Sequence, residues 1–158
     1  MNQQETDQIR SIIMNIEEKK WYIPYFSDLE NHEVFGPIFK TISPEQKIEI
    51  QHVINDYIAE KIEGMTKTKW GQLFKRFYEA YNELFWKFRT LNEEDTTSAK
   101  FQETGRQVEQ EMFKLEGILT ERMLKQEKWL DKVIDSFYKI VYTFFPKYNK
   151  IDSKNLFL

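Results

Sequence analysis

The chain has 158 residues, of which 41% are hydrophobic and 31% charged, with a formal net charge of −3 at pH 7. Such a composition belongs to a folded globular chain, and a weak charge of mixed signs gives no general attraction to nucleic acid or anionic membranes. Cysteine is absent, which excludes disulfides, thiolate metal sites and a cysteine nucleophile.

At this length one core is self-sufficient, so residues 1–158 read as a single α-helical domain. The opening "MNQQETDQIRSIIMNIEEKK" is polar and lacks the apolar run of a signal peptide. No stretch approaches the ~20 apolar residues that span a bilayer. A cytoplasmic protein with no membrane association is expected. Only three alanines accompany abundant Lys, Ile, Asn, Glu and Phe, a bias that suggests an AT-rich bacterial or phage genome.

A first helix is expected over about 5–19, with Ile9, Ile12, Ile13 and Ile16 on one stripe. The proline-broken segment "WYIPYFSDLENHEVFGPIFKTI" follows, in which Asp28 is expected to start a short helix that ends near Gly36. At 43–46, "SPEQ" is a strong helix start. Ser43 can cap, Pro44 suits the first helical position and Gln46 completes a capping box. This helix runs to about Ile62, with Gly64 as its stop and Ile50, Val53, Ile54, Tyr57, Ile58 and Ile62 as its apolar arc. No proline interrupts the chain between Pro44 and Pro146, which permits long helices.

The next helix, capped by Thr68 and ending near Leu91, contains "KWGQLFKRFYEAYNELFWKF", with eight aromatic residues in twenty. At 100° per residue, Trp70, Leu73, Phe74, Phe77, Tyr78, Tyr81, Leu84, Phe85, Phe88 and Leu91 share an arc of about 140°, the pattern of a core helix. Tyr78 and Tyr81 raise the idea of a small-molecule pocket, but no polar constellation accompanies them. Trp86 falls in the middle of the polar face, where it either covers a neighbouring segment or anchors a partner.

After the loop "NEEDTTS" at 92–98, Ser98 can cap a further helix. From Phe101 to Phe144 the apolar residues keep one phase, and a single helix over 98–145 would be roughly 72 Å long. Either it bends near 124–128, where the stripe thins, or the molecule is elongated and pairs with a second copy as a homodimer. The fold class is therefore all-α: an irregular helical bundle of about five helices with a long C-terminal helix or bent helix pair.

Chemistry is hard to place on this chain. Glu49 and His52 form a Glu-x-x-His pair, but a di-iron bundle needs a second such pair and more carboxylates, and the only other histidine is His32. Zinc would require both histidines and nearby carboxylates to converge. Phosphate-loop, nucleophile-elbow and zinc-protease motifs are absent. No catalytic residue, metal ligand or cofactor is assigned, and the chain reads as a non-enzyme.

The expected function is that of a non-enzymatic protein-interaction factor: a regulator, inhibitor or immunity-type protein with an aromatic-anchored helical surface. Its partner-binding residues would be Trp86, Arg89 and Lys75, together with Leu156 and Phe157 of the apolar tail "NLFL". The partner would be another protein. The alternative is a ligand-sensing or DNA-binding transcriptional regulator that uses the basic 61–76 junction: Lys61, Lys67, Lys69, Lys75 and Arg76. The long, strongly aromatic helix that follows this junction disfavours nucleic acid.

Overall fold

A computed structural model describes residues 1–122 and 127–152 of the chain. Among them are eight α-helices, one 3-10 turn and no strand, so the fold is all-α. The chain divides into two compact units, Met1–Lys61 and Ile62–Leu158.

The first unit begins with α1 (Gln3–Lys20), whose Asn2 side chain accepts from the Glu5 amide at 2.8 Å. Ile13 and Ile16 are buried, whereas Ile9 and Ile12 are only partly covered. The helix ends at Trp21, which adopts a left-handed conformation (φ 68°) and donates its backbone N–H to the Glu17 carbonyl at 2.8 Å. A helix ending of this kind favours glycine, because a Cβ in that region costs about 1–2 kcal/mol.

Two short helices follow, α2 (Phe26–Glu30) and α3 (Gly36–Lys40). Asp28 does not begin α2; it sits one turn in, and its carboxylate reaches back to the Tyr25 amide at 2.8 Å and accepts from the Tyr22 hydroxyl at 3.1 Å. Gly36 starts α3 rather than ending α2. A Cβ at Gly36 would sit 2.5 Å from the Glu30 carbonyl oxygen, so the close passage of the two backbones requires glycine. Phe26 and Phe39 then meet edge to face at 6.3 Å.

The start of α4 (Pro44–Glu63) is as expected: Ser43 Oγ accepts from the Gln46 amide at 3.2 Å, and Gln46 Oε1 accepts from the Ser43 amide at 3.0 Å. Ile50, Val53, Ile54 and Ile58 are its buried positions within this unit. Its outer edge is tied to α1 by polar contacts. Glu17 accepts from the Tyr57 hydroxyl at 2.5 Å and pairs with Lys61, while Arg10 pairs with Glu60. Burial and the hydrogen bond to Glu17 push the Tyr57 phenol well above its usual range.

In the second unit the aromatic stretch is two helices, α5 (Lys69–Ala80) and α6 (Asn82–Leu91), broken at Tyr81 (φ −123°, ψ 47°). The Thr68 cap is in place, its side chain accepting from the Gly71 amide at 3.0 Å. Phe74 and Phe85 are eleven residues apart and would lie about 16 Å apart on a straight helix. Their ring centroids are 6.3 Å apart. The break therefore folds the two halves of the stretch onto one phenylalanine cluster, and burial of those rings outweighs continuity of the helix.

Ser98 caps α7 (Ala99–Arg122) through the Phe101 amide at 3.1 Å, and α8 (Glu127–Phe144) follows. The expected bend near 124–128 lies largely outside the described residues, but its consequence is visible. Tyr138 donates to Glu116 Oε2 at 2.6 Å, although 22 helical residues would separate them by about 33 Å. The chain thus turns back and α8 packs beside α7.

Phe74 stacks on Phe144 at 5.2 Å, Phe88 meets Phe145 at 4.9 Å and Phe101 at 5.3 Å, and all of them are buried. After Phe144 the chain forms a short strap with a 3-10 turn at Tyr148–Lys150. Asn92 accepts from the Lys147 amide at 2.7 Å, while Gln102 donates to the Lys150 carbonyl at 2.9 Å and accepts from the Asp152 amide at 2.6 Å. A Cβ on Gly105 would stand 2.8 Å from the Ile151 side chain, so α7 is bare where the strap crosses it.

Candidate functional site

The break at Tyr81 also shapes the surface of the second unit. Tyr81 no longer lies on an inner stripe; it is 43% exposed, with its ring stacked on buried Phe77 at 5.9 Å. Beside it, α5 and α7 leave a cleft of about 460 Å³. Phe77, Ala80, Tyr81, Leu115 and Ile118 make its apolar surface, and Arg76, Glu79 and Glu111 supply charge. Lys114 pairs with Glu111 at 3.0 Å, and this contact holds the Lys114 ammonium above its usual pKa range. An apolar, aromatic strip with charged margins can take an amphipathic segment. It offers no nucleophile with an adjacent base.

The residues expected at a partner surface are distributed differently. Trp86 is half-buried, with its ring edge-on to Phe85 at 5.0 Å and near Tyr78 at 6.2 Å, so it roofs the aromatic cluster of its own unit. Arg89 is buried, and its Nη1 donates to the Phe144 carbonyl at 3.2 Å. This corrects its placement on an outer face. With α6 re-phased by the break, Phe85, Phe88, Arg89 and Asn92 form the i, i+3, i+4, i+7 stripe that turns inward. That signal was present in the sequence once α6 was treated as a separate helix. Lys75 is tied to Glu63 at 3.1 Å and Glu79 at 3.6 Å. Leu156 and Phe157 lie outside the described residues.

The basic junction is divided. Lys61 belongs to the first unit, where it pairs with Glu17. In the second unit Lys67, Lys69 and Arg76 are exposed, and Lys75 is held by the two glutamates. His52 is exposed on α4. His32 uses Nδ1 to accept from the Val34 and Phe35 amides, each at 3.1 Å, and so stabilises the turn between α2 and α3. Among the described residues no three His, Asp or Glu side chains gather as metal ligands, and no helix is long and apolar enough to cross a membrane.

The first unit carries a groove of its own, also about 460 Å³, where Ile9, Ile12, Ile38, Phe39, Ile42 and Ile50 meet Glu5 and Glu49. The sequence placed Ile9 and Ile12 on the apolar stripe of α1 and Ile50 in the apolar arc of α4, and the groove opens where the two meet. No protein family matches the sequence, and no curated protein or solved structure is similar to it.

Proposed function

We propose that the chain is a non-enzymatic protein-interaction factor, of the regulator, inhibitor or immunity type, and that the cleft at the α5–α6 break is its docking surface. The observation that carries this reading is Tyr81: an aromatic ring displaced from the core by a helix break, stacked on a buried phenylalanine and open to solvent above an apolar cleft. Exposed aromatic side chains on a rigid support are the usual anchors of protein interfaces, because they bury much area while few torsions are frozen. The surrounding Arg76, Glu79 and Glu111 would fix the register of an incoming segment of mixed charge.

The test replaces Tyr81 with a photo-crosslinking phenylalanine analogue and irradiates the full chain in lysate of its native host. A discrete crosslinked product is expected. It should disappear when Leu115→Asp places a charge in the cleft, while the melting temperature of that variant falls by only a few degrees. A crosslink that survives Leu115→Asp, or no crosslink at all, would remove the cleft as the docking surface.

A further inference from the structure

The charges that line the cleft beside Tyr81 are not equally available to a partner. Arg76 and Glu79 come from α5 and Glu111 from α7. Both carboxylates already have a cation of their own unit: Glu111 pairs with Lys114 at 3.0 Å, and Glu79 with Lys75 at 3.6 Å. Arg76 is exposed, and among the described residues no carboxylate pairs with it. Its guanidinium is therefore the lining charge left for an incoming group. A guanidinium stays charged at any working pH, and its planar fork of donors matches a carboxylate.

The neighbouring residues set what else the occupant must bring. Arg76 and Ala80 are four residues apart on α5, so the guanidinium stands about one helical turn, roughly 5.4 Å along the axis, from the apolar part of the cleft. On α7, Leu115 and Ile118 continue that apolar surface, and the lining from Glu111 to Ile118 covers about 10 Å, or two turns. A surface of this length receives two apolar side chains spaced one turn apart on an amphipathic helix.

We propose that the occupant is an acidic amphipathic helix of a partner protein, which seats apolar side chains on Tyr81 and Leu115 and places a carboxylate, one turn away, on Arg76. The assignment rests on the cleft being the docking surface and adds the chemistry of what docks there. A phosphodiester backbone would also bring an anion, but it offers no apolar side chains to Leu115 and Ile118. Its repeated charge would also meet Glu79 and Glu111 at the same margin. A basic helix would set a like charge against Arg76.

Fluorescence anisotropy of the full chain with three labelled helical peptides tests this. The peptides share one leucine face and carry glutamate, glutamine or lysine on its flank. At low ionic strength the glutamate peptide should bind about fivefold more tightly than the glutamine peptide, and the lysine peptide more weakly than either. The preference should shrink as salt is added. Arg76→Gln should bring the glutamate peptide down to the glutamine level, Arg76→Glu should reverse the order in favour of lysine, and Leu115→Asp should weaken all three. Equal binding of the three peptides that is lost in Leu115→Asp would overturn the acidic partner and leave the docking surface standing. An acidic preference that survives Arg76→Gln, no binding of any peptide to the unmodified chain, or displacement of the glutamate peptide by a single-stranded oligonucleotide would each overturn it as well. Failure of the docking surface itself is read separately, from the Tyr81 crosslink.

Discussion

The two units reach stability with different materials. In Met1–Lys61 the buried positions are mainly isoleucine: Ile13, Ile16, Ile23, Ile50, Ile54 and Ile58, with few rings among them. Its polar ties, Glu17 with Tyr57 and Lys61 and Arg10 with Glu60, are at the edges, and Trp21, Val34, Ile38 and Ile48 remain largely exposed. Among the described residues of Ile62–Leu158 seven phenylalanines are fully buried, and Arg89, Asn92, Thr104 and Glu109 are buried with them. Aliphatic side chains fill space without demanding orientation, so the first unit tolerates an open groove. Rings must meet at defined angles, and polar groups among them must be paired or neutral. The second unit accordingly breaks a helix and holds a strap with side-chain hydrogen bonds.

The largest effect that tests this contrast is expected at Phe85, whose ring meets those of Phe74, Tyr78, Trp86, Phe144 and Phe145. Phe85→Ala should lower the unfolding free energy by about 3–5 kcal/mol in denaturant titration. Ile54→Val, at an equally buried aliphatic position of the first unit, should cost only about 0.5–1.5 kcal/mol. Because Phe85→Ala removes far more than Ile54→Val, a loss at Phe85 no larger than that at Ile54 would show that the ring cluster does not hold the core of the second unit together.

Asn92→Ala should come next. It removes the acceptor for the Lys147 amide and the donor to the Phe88 carbonyl, both at 2.7 Å in a buried setting. A loss of about 1–3 kcal/mol is expected. Exchange at Lys147 should rise more than exchange in α7; uniform change across the unit would mean that Asn92 supports the core rather than the strap.

The smallest effect is a gain. Trp21 is 83% exposed and holds a backbone conformation that suits glycine. Trp21→Gly should stabilise the chain by about 1 kcal/mol, seen as a higher denaturation midpoint. A destabilised variant would show that the indole contributes contacts that offset its backbone strain.

Local signals in the sequence were accurate where the chemistry is local. The Ser43–Gln46 capping box, the Thr68 and Ser98 caps and the end of α4 before Gly64 need only neighbouring atoms, and each is where the spacing places it. The all-α class follows from the same logic, since periodicity over long proline-free stretches requires helices. Gly36 was misread because its role depends on the Glu30 carbonyl passing close by, a feature of the folded backbone that no residue pattern encodes.

Tyr81 marks the limit most clearly. By itself the sequence determined that residues 69–91 are helical and that most of their aromatic residues are buried. Whether the stretch is one rod or a corner depended on Phe144 and Phe145, more than fifty residues away, whose rings pull Phe74 and Phe85 into one cluster. The same long-range packing turned Arg89 inward and Tyr81 outward, and left Glu109 of α7 buried. A helix records in sequence the period of its buried face. The point at which that face must bend is set by what packs against it, and only the tertiary structure decides that.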